Sequence, residues 1–316
     1  MKRRESSKSA STAGAAAPAS GASATRLSAE TAGIRPTGQP WPLRSSEAFD
    51  FDSTHVGDRF AVGVWQPDEQ IVAMHGVDLD KPLGLVYVLD GSFALAMAAG
   101  VCLLQLGDLV KPGFPPLILV GVDYPVGAPN SRSRDYTMED SVPAAIGESL
   151  KALPKSMPGG APKFLKFMEE ELDPHIRANY NVNDRPAGLL GDSFGATFTY
   201  FAFIQQSKLF DRYWMGSPGI FTTGTDYVAK FEKTVDGDLV HDTRMFLSIG
   251  SLEMNGGVDF YEDMGRNFNA TVSALSRHSN DKLTWESRIY PGHTHTTVFT
   301  PALNDALLHL YGPHQP

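Results

Sequence analysis

Residues 188–190 are apolar, and by residue 196 the chain carries a helical pattern. Between them lies Gly191-Asp192-Ser193-Phe194-Gly195. An apolar strand that ends on a glycine-flanked corner and runs directly into the helix expected over residues 196–206 is a strand–turn–helix unit, the building block of parallel sheets. The glycines suit the corner, because the turn is strained and neighbouring backbone passes close. A serine at its tip is pushed out beyond the sheet edge, where a histidine can reach its hydroxyl. The five letters alone also fit a tight loop of small residues with no chemistry. The flanking strand and helix separate the two readings.

The rest of the chain repeats this theme. Residues 49–52 alternate apolar and polar, residues 59–65 read as a second strand, and Gly57-Asp58 between them is a turn signal. Continuous apolar runs at 85–89 and 117–122 read as strands covered on both faces. Further strands are expected at 213–215, 245–249 and 283–289. Helices are expected at 94–106, 258–277 and 302–311. A helix is also expected at 163–179, where Phe164, Leu165, Phe167, Met168, Leu172 and Ile176 hold the helical period; Pro174 predicts a break or kink there. Antiparallel strands first, then strands alternating with helices, predict an α/β fold. Its central sheet is mainly parallel, with N-terminal antiparallel strands and helices on both faces. In such sheets, sites form beyond the carboxyl ends of the strands.

Composition narrows the function classes. A net charge of -9 argues against nucleic acid as a partner. No run approaches the roughly 18 apolar residues of a membrane span. The single cysteine, Cys102, allows no internal disulfide, and its apolar neighbourhood predicts a packed core thiol. Residues 10–25 are only Ala, Ser, Gly, Thr and Pro, so residues 1–46 are expected to form a disordered segment ahead of one domain over 47–316. That segment starts basic but lacks the apolar core of a signal peptide. A cytoplasmic location is therefore expected, with export the alternative.

A serine nucleophile needs a base, and the base needs a carboxylate to fix its tautomer. In chain order the acid should follow the serine and the histidine should come last. His309 falls in the last helix, His314 at the terminus, and His278 at a helix end. His293 and His295 fall in the loop between the last strand and the last helix, where the base belongs; His295 is the choice and His293 the runner-up. Glu253, just past the penultimate strand, is the expected acid, with Asp259, Glu262 and Asp263 competing. An oxyanion hole needs two N–H donors: Phe194 after the nucleophile, and Ser92 or Phe93 in the Asp90-Gly91-Ser92 loop, where Gly91 permits the turn. Arg132 and Arg134 read either as loop braces paired with Glu139 and Asp140 or as a clamp on an anionic substrate; Trp214 reads as core or pocket lining. The His293/His295 pair has no adjacent carboxylate or cysteine, so no metal is expected.

Several segments together resemble the Putative esterase family of the α/β-hydrolase fold. That family includes siderophore esterases, the esterase D group, feruloyl esterases and antigen 85 mycolyltransferases. The segments are residues 49–67, 86–91, 118–124, 132–137, 164–180, 191–195 and 216–218, and His295 with the helix after it. The resemblance spans about residues 47–312 and is nearest to the siderophore-esterase branch. It implies Ser193 as nucleophile, His295 as base, Gly91 and Ser92 as oxyanion donors, and an acid at Glu253 or further along at Glu262 or Asp263, with a Ser–His dyad in some members. The chain departs from the family at Asp192, where histidine is common, at Ala196 for glycine, and at His293 for glutamate. The implied activity is a cofactor-free serine esterase that cleaves a small-molecule carboxylic ester, extending to a siderophore-type lactone, through an acyl-enzyme. The competing readings are an acyltransferase on the same site and a non-enzymatic binding protein. Oligomeric state is not indicated.

Overall fold

The apolar runs assemble into one eight-stranded sheet. A computed structural model describes residues 42–68, 78–108, 113–129, 131–139, 157–219 and 226–312. The segment expected to be disordered lies outside them up to residue 41. The strands are β1 (Ser46–Ser53), β2 (Asp58–Trp65), β3 (Gly84–Leu89), β4 (Leu117–Asp123), β5 (Ala187–Asp192), β6 (Phe210–Gly216), β7 (Thr243–Gly250) and β8 (Leu283–Tyr290). Their order is β1-β2-β4-β3-β5-β6-β7-β8. β2 pairs antiparallel with β1 and β4, and every later pairing is parallel. Gly57, at φ 72°, closes the β1–β2 turn in a conformation that favours glycine.

The helices are α1 (Gly91–Leu106), α2 (Arg132–Asp135), α3 (Ala161–Lys166), α4 (Asp173–Asn179), α5 (Phe194–Ile204), α6 (Tyr227–Val235), α7 (Ser251–Asn255), α8 (Asp259–Arg277) and α9 (Phe299–Tyr311). On one face α1 and α9 bury Ala98, Cys102, Leu303 and Leu307 against Val86, Leu119, Leu190 and Phe246. Cys102 is thus the packed thiol expected, and burial pushes its pKa up to about 12. On the other face Phe164, Phe167, Phe198 and Phe231 pack against Val120, Leu189 and Leu247. α5 is buried from Gly195 to Phe203, which is why its sequence lacks a polar stripe.

The break expected at Pro174 takes another form. Phe167–Leu172 winds as a π-helix between α3 and α4, and Pro174 falls in the first turn of α4. The helical backbone runs on from Ala161 to Asn179, and the π-helical stretch just before Pro174 accommodates the ring and its missing N–H. The short α2, α6 and α7 were not anticipated. Because β3 to β8 run parallel, the loops after β3, β5, β7 and β8 emerge at one end of the sheet.

Candidate active site

Ser193 occupies the corner between β5 and α5 with φ 57° and ψ −120°, a strained conformation for a residue with a side chain. Its backbone pins it there. The Ser193 N–H donates to Gly216 O at 2.8 Å, and its carbonyl accepts from Thr197 and Gly219. Gly191 has to be glycine, since a Cβ would lie 2.3 Å from Gly195 O.

His295 comes from the loop between β8 and α9. Its Nε2 lies 3.0 Å from Ser193 Oγ and its Nδ1 lies 2.6 Å from Glu253 Oε2. An ionised carboxylate only accepts, so Nδ1 carries the hydrogen and Nε2 is left to accept from the serine hydroxyl. Glu253, in the first turn of α7 straight after β7, is 1% exposed. Its other oxygen accepts from Gly250 N–H and Ser217 O–H, both at 2.8 Å. Three donors therefore hold a carboxylate that water does not reach. The ring of Tyr261 stacks on His295 with centroids 4.9 Å apart. Burial draws the His295 pKa down, but the Glu253 hydrogen bond and the nearby Asp192 outweigh it, and the net direction is above 6.5.

The competitors are occupied elsewhere. Glu262 accepts from Gly257 N–H, Asp263 pairs with Arg266, and Asp259 is exposed at the start of α8. His293 donates through Nδ1 to Thr297 O, while its own carbonyl takes the Leu252 N–H. His278 pairs with Glu232 and Asp236, and His309 with Glu286.

In the loop after β3, Asp90 adopts a left-handed conformation at φ 56° and α1 begins at Gly91. Ser92 is not aimed at the site. Its N–H donates to Asp123 Oδ2 at 2.7 Å, because the carboxylate at the end of β4 captures the open N-terminus of α1. Gly91 packs on the β4 backbone so closely that a Cβ would lie 2.8 Å from Gly121 C.

The model of the Putative esterase family matches residues 57–310. The chain belongs to this family. This ester hydrolase is 25% identical over 241 residues to the ferri-bacillibactin esterase BesA of Bacillus subtilis (strain 168), which covers 73% of this chain and 80% of that protein. The BES protein from Bacillus cereus matches it with a TM-score of 0.73 at 24% identity, covering 86% of this chain and 98% of that one. The siderophore hydrolase EstB from Aspergillus nidulans matches with a TM-score of 0.66 at 22% identity, covering 86% and 97%. These structural likenesses show the α/β-hydrolase fold.

In this esterase both arginines pair with carboxylates of the protein. Arg132 grips both oxygens of Asp90, with Nη2 at 2.9 Å from Oδ2, and Nη2 also donates to Asp192 O at 3.1 Å. Its guanidinium lies over the rings of Phe194 and Tyr136. Arg134 is held by Asp135 and Asp58, not by Glu139; Asp140 lies outside the described residues. Both guanidiniums are bound to carboxylates, the arrangement that the brace reading expects. Trp214 does not line a pocket: it is 1% exposed, its indole N–H donates to Ser248 Oγ at 3.0 Å, and its ring meets Phe299. Two residues at the site carry no role in the sequence alone, although Ser217 lies in the 216–218 segment that resembles the family. Ser217 follows β6 in a Gly-Ser-Pro turn, a weak signal. Tyr261 sits one helical turn before Gly265, among residues with no distinguishing pattern.

Proposed function

We propose that this esterase is a serine hydrolase that cleaves carboxylic esters through an acyl-enzyme, with Ser193, His295 and Glu253 as its triad. The observation that carries the reading is the unbroken chain from Ser193 Oγ through His295 to the buried Glu253 carboxylate. Ser193 Oγ attacks the ester carbonyl carbon while His295 Nε2 takes its proton. The tetrahedral oxyanion is held by the N–H groups of Phe194 and Gly91, the latter replacing Ser92, whose N–H is committed to Asp123. The ester C–O bond breaks, and the leaving alkoxide takes the proton back from Nε2. Water then repeats the sequence against the acyl-enzyme, giving the acid and free Ser193.

The names of the relatives, a ferri-bacillibactin esterase and a siderophore hydrolase, support a siderophore-type ester as substrate. The segments after β3 and β7 offer exposed apolar side chains. Phe93, Leu252 and Val258, all in segments that follow β3 and β7, are 50%, 44% and 47% exposed. The test combines a fluorophosphonate probe with hydrolysis of p-nitrophenyl butyrate. Wild type should be labelled at Ser193. Ser193→Ala should lose labelling and at least about 10⁴-fold in kcat while melting normally. Activity near wild type in that variant overturns the mechanism.

A further inference from the structure

Asp192 stands immediately before the nucleophile and has no part in the steps above. Its backbone carbonyl accepts from Arg132. Its side chain packs against Gly216, where a Cβ would lie 2.6 Å from Oδ1. Gly216 takes the Ser193 N–H, and the next residue, Ser217, holds Glu253. The Asp192 carboxyl is thus wedged between the strand end that anchors the serine and the turn that orients the acid. Oδ1 is sealed from solvent and has no hydrogen-bond partner. Ionised, the carboxyl would keep one oxygen sealed from water with no donor, which burial penalises. Burial pushes its pKa up to about 8; His295 and Arg132 oppose the rise, and Glu253 and Asp90 reinforce it. The influence is mutual, since Asp192 when ionised raises the proton affinity of His295.

We propose that Asp192 is a positioning residue that serves as a neutral acid, and that its ionisation lowers the activity of the esterase on the alkaline side. The inference rests on the Ser193–His295–Glu253 reading. While protonated, Asp192 adds no net charge behind the elbow. Once ionised, it places a negative charge one residue from Ser193, in a water-poor site that must develop an oxyanion beside Phe194. Like charges there oppose one another strongly. It also draws a proton towards His295, whose lone pair must stay free. The groups facing Asp192 are His295, Glu253, Arg132 and Asp90. Only His295 among them is an ordinary neutral-pH titrator, so the two titrate as a pair.

The test measures kcat/KM for p-nitrophenyl butyrate from about pH 6 to about pH 10, with spontaneous hydrolysis subtracted, in wild type and Asp192→Asn. Wild type should rise as His295 loses its proton and then fall by about threefold or more above roughly pH 8. Asp192→Asn should stay level on the alkaline side, with its acid limb where wild type has it, because Asp192 carries no charge while it keeps its proton. Stability gives a second readout. The unfolded carboxyl ionises near 3.8 and the folded one near 8, so stability falls as pH rises through that window. The melting temperature of wild type should therefore drop towards pH 8, and that of Asp192→Asn should drop less. A wild-type profile that stays level above pH 8 overturns the proposal, and so does the same alkaline fall in Asp192→Asn. If Asp192→Asn does not fold, Asp192→Ser takes its place and the wild-type profile still decides. Fluorophosphonate labelling of Ser193 at neutral pH is scored separately, so that failure of the triad reading is not mistaken for failure of this one.

Discussion

Glu253→Gln should separate the chemistry of this site from its architecture. Glu253 Oε1 is fixed by two donors, Gly250 N–H and Ser217 O–H. In the glutamine variant the carbonyl oxygen takes that place, because it alone can accept both. The amide nitrogen then faces His295 Nδ1 at the position where Oε2 now lies 2.6 Å away. An amide nitrogen donates, so His295 must present its lone pair at Nδ1 and its hydrogen at Nε2. Nε2 can then no longer take a proton from Ser193. A wrong tautomer held in otherwise intact geometry costs about 10⁴-fold in kcat, or about 5.5 kcal/mol. The side-chain volume is unchanged and two of the three hydrogen bonds survive, so the melting temperature should move little. Glu253→Ala should behave in the opposite sense. It strands two buried donors at about 1–3 kcal/mol each, yet leaves His295 free to choose its tautomer. The glutamine variant should therefore be the more stable and the less active of the two. Steady-state hydrolysis of p-nitrophenyl butyrate and calorimetric melting read both axes. If Glu253→Gln keeps more than about a tenth of wild-type kcat, a Ser193–His295 dyad suffices and the role given to Glu253 is wrong.

Two further substitutions probe the scaffold. Ser193 pays for its exposed position with backbone strain of about 1–3 kcal/mol at φ 57°, so Ser193→Gly should melt about 2–4 °C or more above Ser193→Ala, both being inactive. Equal melting temperatures would show that no strain is stored at the corner. Gly91→Ala should push the loop off the β4 backbone, where its Cβ would lie 2.8 Å from Gly121 C, and lower kcat by about tenfold or more along with stability. An unchanged kcat would remove Gly91 from the oxyanion hole.

What could be read from the sequence followed from local rules. The strands of the sheet and the corner at Ser193 are written in short-range periodicity and glycine placement, so their positions needed no tertiary information. His295 and Glu253 were reachable because a parallel sheet orders its loops as the chain does: acid after β7, base after β8. The structure brings both to Ser193. Contacts between distant segments were not legible. Asp123 is 31 residues from Ser92, and nothing local indicates that its carboxylate takes that N–H. Arg132 reaches Asp90 across 42 residues, a partner that no local pattern names. Trp214 lies on β6 with both faces covered, and its burial depends on α9, more than 80 residues later. At Pro174 the local rule named the irregular stretch but not its form, since a π-helical turn and a kink both accommodate the ring.

The bracket made by Arg132 has a consequence for how this protein can change. One guanidinium joins the turn after β3 to the backbone of the corner after β5, so the two halves of the reaction centre move as a single block. Phe93, Leu252 and Val258 are exposed in the segments that follow β3 and β7 and take no part in that bracket. Evolution or a directed library can therefore vary those three positions to retarget the enzyme to a new ester while inheriting a reaction centre already assembled.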